Sequence, residues 1–189
     1  MKLLLASSSP RRRELLRNAG FEFEVRPSRV DEVPRSGESA EEFACRAARE
    51  KALSVAASSP PGSLVLGADT VVVIDGQILG KPAGPDDAAR MLHLLSGTSH
   101  RVVTGVCLVR APAQIEALRH ETTRVLFRNL DEGEIRDYVA SGEPLDKAGA
   151  YAIQGLASRF VTRLEGCYFN VVGLPVSLVY EMLRSVRSP

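Results

Sequence analysis

Apolar residues fall in short runs broken by turn signals, and their spacing predicts alternating strands and helices along the chain. The run from Lys2 to Ala6 reads as a buried first strand. Ser7-Ser8-Ser9 then turns into a helix that Ser9 caps, that Pro10 opens and that Gly20 ends. The polar stretch from Arg26 to Gly37 holds Pro27, Asp31, Glu32 and Pro34 and predicts an irregular loop. Ser39 and Glu42 stand at capping-box spacing before an alanine-rich helix reaching about Ala57, and Ser58 to Gly62 is a linker.

Further along, Leu64-Val65-Leu66 and Val71-Val72-Val73-Ile74 are β-branched runs on either side of Gly67-Ala68-Asp69-Thr70, which places Asp69 between two strand segments. Asp75-Gly76 predicts a hairpin turn into Gln77-Ile78-Leu79. Ala88, Met91, Leu92 and Leu95 recur at helical spacing after Pro85, and Gly97 closes that helix. Arg101 to Val109 and Glu121 to Arg128 read as strands joined near Ala111-Pro112, followed by a helix from about Glu132 to Ala140 and a glycine-rich tract. Phe160 to Leu164 and Cys167 to Val172 predict a hairpin over Glu165-Gly166, and Pro175 opens a final helix. Hairpins mixed with helical crossovers imply an α/β (mixed α+β) fold around a mixed sheet.

Composition narrows the possible functions. A chain of 189 residues fits one domain, or two closely joined lobes, and buries roughly 70% of its unfolded surface without staples. A formal net charge of +1 provides no global field for nucleic acid or an anionic membrane. With no Trp, few other aromatics and no recognition module, a nucleic-acid binder is a poor fit. Cys45, Cys107 and Cys167 show no CxxC spacing, so a reducing cytoplasm is the expected location. The apolar start Met1-Lys2-Leu3-Leu4-Leu5 breaks at Ser7 before Pro10 and three arginines, unlike a signal peptide, and no run approaches the about 18 apolar residues of a membrane span. His93, His100 and His120 have no metal-site spacing, and His93 falls in an apolar helical pattern that suggests packing.

Four segments carry candidate chemistry, each with a plain structural alternative. Ser7-Ser8-Ser9-Pro10-Arg11-Arg12-Arg13 places hydroxyls, free helix-start N–H groups and guanidinium forks together, as a phosphate site requires; the alternative is a solvated helix face. Gly67-Ala68-Asp69-Thr70 presents a carboxylate able to activate water or bind a divalent metal, or else an Asx-turn. Lys81, between Gly80 and Pro82, is either a phosphate contact or a surface lysine. The tract Asp146 to Gly155 allows close backbone approach to a ligand, with Lys147 and Gln154 as donors, or is a packed loop.

Taken together these segments resemble the Maf family of nucleoside triphosphate pyrophosphatases. Ala6 to Leu16 matches the family's ASxSPRR opening, Gly67 to Val71 its GADTxV motif, Gly80-Lys81-Pro82 its GKP element and Asp146 to Gly155 its DKAGAYxIQG element. Ser96 to His100 and Asn170 to Pro175 also match, so the resemblance spans nearly the whole chain. Ala152 departs from it, where many members carry glycine.

The resemblance implies a single Maf/ITPase-like domain over residues 1–189, with an elongated mixed sheet in two lobes around a cleft, often as a homodimer. It makes Asp69 the base that activates water and assigns Ser7, Ser9, Arg11, Arg12, Lys51, Thr70, Lys81, Lys147 and Gln154 to substrate binding. It also implies Mg²⁺ or Mn²⁺ held in part by Glu32 and Asp69. Arg11, Thr70 and Gln154 match positions linked to substrate choice, and the glutamine is similar to the branch acting on dTTP and UTP. The expected reaction is release of pyrophosphate from a nucleoside triphosphate. A nucleotide-binding regulator that restrains septum formation without turnover is the competing expectation, although it has no need of a poised carboxylate. A P-loop phosphotransferase is excluded by the lack of GxxxxGK[ST].

Overall fold

The computed structural model describes residues 2–30 and 33–187, the last by its backbone alone. The elements run β1 (Leu3–Leu5), α1 (Pro10–Asn18), β2 (Glu24–Val25), α2 (Ala40–Ala56), β3 (Leu64–Ile74), β4 (Gln77–Leu79), α3 (Pro85–Leu95), β5 (Ser99–Arg110), β6 (Gln114–Phe127) and α4 (Glu132–Ala140). Three short 3₁₀ segments follow, at Glu143–Asp146, Ala148–Ala150 and Leu156–Phe160, and then β7 (Val161–Glu165), α5 (Tyr168–Val172) and α6 (Val176–Arg187). The seven strands form one mixed sheet in the order β2-β1-β3-β5-β6-β7, with β4 paired to β3. β1 pairs in parallel with β2 and β3, whereas β3–β4 and β6–β7 are antiparallel.

Local chemistry accounts for most element ends. Ser9 caps α1 by accepting from Arg12 N–H, and Ser39 with Glu42 forms the reciprocal capping box of α2. Asp131 and Glu134 build a second such box on α4. Asp75 (φ 47°) and Gly76 (φ 76°) both take the left-handed conformation that a two-residue hairpin between β3 and β4 demands.

Packing divides the chain into two compact units. The first takes in the chain up to Thr70, Thr104–Glu121 and the chain from Gly173 onward; the second is Val71–Val103 with Thr122–Val172. In the first, α2 lies on the sheet through alanines, and Ala48, Ala52, Val55 and Ala56 pack with Leu4, Val65, Cys107 and Val109. In the second, Met91, Leu92 and Leu95 of α3 meet Val72, Leu79, Val102 and a run of aromatic rings. Phe127, Phe160, Tyr138, Tyr151 and His100 stack edge to face in that run.

Four sequence expectations need correction. Asp69 does not join two strand segments, because β3 runs unbroken from Leu64 to Ile74. Gly67 is the reason: a Cβ there would lie 2.1 Å from the Ala48 carbonyl oxygen, so glycine here admits a helix instead of a turn. β6 starts at Gln114 instead of Glu121; its first half is exposed or half-buried and lacks an alternating apolar face. No hairpin follows Glu165, since β7 pairs back onto β6 and Tyr168–Val172 is helical, held where Asn170 Nδ2 donates to Val102 O and Thr123 Oγ1, both at 3.0 Å. His93 is exposed on α3 and faces Glu132 at 3.5 Å instead of packing.

Candidate active site

β3 presents the central carboxylate. Asp69 is 3% exposed, and its Oδ1 accepts a 2.6 Å hydrogen bond from Nζ of Lys51, itself 6% exposed on α2. Alanines at 44, 48, 52 and 56 bring α2 close enough to the sheet for the lysine to reach the strand. A buried charge requires such a partner, since the desolvation of either ion alone costs several kcal/mol or more.

The basic opening divides into two roles that sequence could not separate. Arg12 is 9% exposed, and its guanidinium donates to Gly173 O at 2.8 Å, Thr70 Oγ1 at 3.0 Å and Ser7 Oγ at 3.3 Å. Thr70 Oγ1 is also 2.9 Å from Thr104 Oγ1. This fork ties the start of α1 to β3, β5 and the loop before α6, a geometry lysine cannot reproduce. Arg11 is half-buried, and its guanidinium makes no bond to any described residue. It is the open cation of the pair. Ser7 also accepts from Ser9 N–H at 3.2 Å, which shapes the loop before α1.

The second unit holds the remaining predicted residues. Gly149 N–H donates to Gly80 O at 3.0 Å, bringing the Gly80-Lys81-Pro82 loop against the Ala148–Ala150 turn. Gly149 sits at φ 67°, and a Cβ on it would come within 2.7 Å of the Val72 side chain, so this close approach needs glycine twice over. Lys81 is exposed and makes no bond to a described residue, and the same holds for Gln154. Lys147 is instead drawn inward, donating to Glu143 O at 3.1 Å and pairing with Asp146.

Thr104 and Glu143 went unnoticed in the sequence. Thr104 had a signal, being the one polar residue within Val102–Val109, and a fully buried hydroxyl in an apolar strand has a partner to satisfy. Glu143 had none, because a glutamate after Ser141-Gly142 reads as loop.

Glu32 lies outside the described residues. Among the described residues no three His, Cys, Asp or Glu side chains converge on a point that could hold a metal ion. Among the described residues Asp69 is the candidate carboxylate, and it would suit Mg²⁺ that keeps several waters and takes further ligands from substrate phosphates better than it would a closed protein cage.

Comparison with known proteins agrees with this chemistry. Residues 2–186 match the family described as Maf-like protein. The chain belongs to the Maf family. Among Maf relatives, the dTTP/UTP pyrophosphatase of Koribacter versatilis is 54% identical over 184 residues, covering 97% of this chain and 94% of that protein. The dTTP/UTP pyrophosphatase of Pelotomaculum thermopropionicum is 51% identical over 183 residues, covering 97% and 95%. A solved HAM1 protein structure from Coxiella burnetii overlaps 79% of this chain and 86% of its own at 19% identity and TM-score 0.45, a likeness too loose to add to the family assignment. No helix among the described residues is long and apolar enough to cross a membrane.

Proposed function

We propose that this Maf protein is a nucleoside triphosphate pyrophosphatase that hydrolyses dTTP and UTP to the nucleoside monophosphate and pyrophosphate. The observation that carries the reading is the buried Lys51–Asp69 pair within an intact Gly67-Ala68-Asp69-Thr70 motif, in a chain sharing about half its residues with dTTP/UTP pyrophosphatases over most of its length.

In the proposed reaction Asp69 takes a proton from water, whose oxygen attacks the α-phosphorus. The bond from that phosphorus to the α–β bridging oxygen breaks, and pyrophosphate leaves with the electron pair. Lys51 holds the carboxylate in place and offsets charge near it. Arg11 and Lys81 are the open cations for the phosphate chain, and Arg12, with Ser7 and Thr70, fixes the start of α1, which carries Arg11. Ser9 caps the helix start, and Lys147 holds the turn before Gln154. A divalent ion, Mg²⁺ or Mn²⁺, would supply further charge neutralisation when bound, and Asp69 with Glu32 are the residues that would hold it. Gln154 is the base-reading residue, its free carboxamide offering a donor and an acceptor to the edge of a pyrimidine ring. Cytoplasmic location and homodimeric assembly belong to the same proposal: the first rests on three cysteines free of disulfides, the second on family resemblance.

The test is pyrophosphate release from a panel of nucleoside triphosphates with Mg²⁺ or Mn²⁺, for the protein and its Asp69→Asn variant. Turnover led by dTTP and UTP, lowered by about 10³-fold or more in a folded variant, is expected. Full activity in Asp69→Asn removes Asp69 from the mechanism, and tight nucleotide binding without turnover in the unaltered protein replaces the reading with the regulatory one.

A further inference from the structure

The turn that carries Gln154 is anchored at both ends. Its leading end is Tyr151, 5% exposed, with its hydroxyl 2.8 Å from His100 Nε2. Its trailing end is Leu156, whose N–H donates to Glu143 Oε2 at 3.0 Å. Between them, Gly155 N–H closes the turn onto Ala152 O at 3.0 Å.

Glu143 is held on every side. Its second carboxylate oxygen, Oε1, accepts from the hydroxyl of Tyr138 at 2.9 Å, and Tyr138 is fully buried on α4, edge-on to Phe160 with ring centroids 5.2 Å apart. Glu143 N–H donates to Ser141 Oγ at 3.2 Å, and its carbonyl accepts from Lys147 Nζ at 3.1 Å. Backbone donor, backbone acceptor and both side-chain oxygens are all in use, so the carboxylate is a fixed point of the scaffold. Gly155 lies directly on it: a Cβ there would stand 2.3 Å from Oε1 and 2.4 Å from Oε2.

Gln154 itself is exposed and bonds to no described residue, so the backbone of its turn sets the point and direction from which its side chain leaves, and thereby the positions its carboxamide can reach. We infer that Glu143 is a specificity-determining positioning residue: it fixes the turn from which Gln154 meets the pyrimidine, without touching the nucleotide. The inference rests on the base-reading role proposed for Gln154. Uracil and thymine present an N–H flanked by carbonyls, whereas cytosine presents an unprotonated nitrogen beside an amino group. One carboxamide separates these edges by direction and distance, and a looseness of about 1 Å is enough to blur them.

The experiment measures kcat/KM for dTTP and dCTP, with melting temperature, in the unaltered protein, Gln154→Ala, Glu143→Ala, Glu143→Gln and the double variant Glu143→Ala/Gln154→Ala. Glu143→Ala is expected to lower the dTTP-to-dCTP ratio by about tenfold, with no further fall in the double variant beyond Gln154→Ala alone, as coupled residues require. Glu143→Gln restores the ratio, its amide oxygen accepting from Leu156 N–H and its amide N–H reaching the Tyr138 hydroxyl. A purely structural role would lower the melting temperature of Glu143→Ala and leave the ratio alone. That outcome overturns the inference if Gln154→Ala does flatten the ratio, and so does an effect of Glu143→Ala that persists in full on the Gln154→Ala background. A ratio unmoved by Gln154→Ala refutes the base-reading role itself and the inference with it, a distinguishable failure. Should Glu143→Ala not fold, Gly155→Ala displaces the carboxylate while keeping both residues, and an unmoved ratio in that variant also overturns the inference.

Discussion

His100 is 1% exposed; its Nε2 lies 2.8 Å from the Tyr151 hydroxyl and its Nδ1 has no partner among the described residues. Burial pulls its pKa from 6.5 to about 4, so the ring is neutral in the folded protein at pH 7. Between those two values the unfolded chain binds the proton and the folded one does not. Stability from this residue is therefore intact above pH 6.5 and falls as the pH drops toward 4. In urea unfolding followed by circular dichroism, the midpoint should decline over that window, and His100→Gln should flatten the decline; an equal slope in the variant would show that other groups carry it. At this scale the sequence conveyed identity better than role. The motif residues were recognisable, yet Arg11 and Arg12 sit side by side in one basic run, and nothing in the run says that Arg12 turns inward to Ser7, Thr70 and Gly173 while Arg11 stays open. That division depends on where the helix face meets β3, which is a tertiary fact.

Helix α2 shows what elements contribute. It crosses β3 and β5 at two glycines: a Cβ on Gly67 would lie 2.1 Å from Ala48 O, and one on Gly105 would lie 2.2 Å from Ala44 O. Both obstacles are helix backbone, which cannot rotate aside as a side chain would. Gly67→Ala or Gly105→Ala must lift α2 from the sheet, and overpacking of this kind costs about 3 kcal/mol or more. Thermal melts should show a clear drop in melting temperature for either variant. Gly67→Ala should also lose activity out of proportion to its folded fraction, since α2 carries Lys51 to Asp69; a variant of unaltered stability would mean that the helix does not rest on these glycines. The capping boxes at Ser39 and Asp131 and the turn at Asp75-Gly76 were legible because their signals are local. The helix at Tyr168–Val172 was not, because its β-branched, apolar sequence matches a strand, and tertiary bonds from Asn170 to Val102 and Thr123 and between Cys167 and Thr123 hold it otherwise. The unbroken course of β3 was hidden for a related reason: Gly67 punctuates a sequence as a turn does, whether the chain bends or a helix simply passes over it.

At the scale of the whole molecule, mixed pairing was legible as a class and strand order was not. Helical crossovers and hairpins announce themselves along the chain, but the placing of β1 between β2 and β3, in parallel with both, depends on pairings distant in sequence. The three cysteines are free, so no crosslink supports the fold, and stability rests on its packed cores. Cys107 can report on one of them. It lies fully buried on β5 among Leu4, Ala52, Val65 and Val109, and burial pushes its thiol up to about 12. The thiolate is the species that reacts with alkylating agents, so Cys107 is protected twice, by lack of access and by lack of ionisation. Its alkylation by iodoacetamide at pH 8, followed residue by residue by mass spectrometry, should proceed only as fast as the surrounding core opens, and should rise steeply through the unfolding transition in urea. Cys45 and Cys167 are each partly exposed and should label ahead of it under native conditions. Labelling of Cys107 at their rate, without denaturant, would show that the core around α2 opens far below the unfolding transition and that α2 is not seated closely on its glycines.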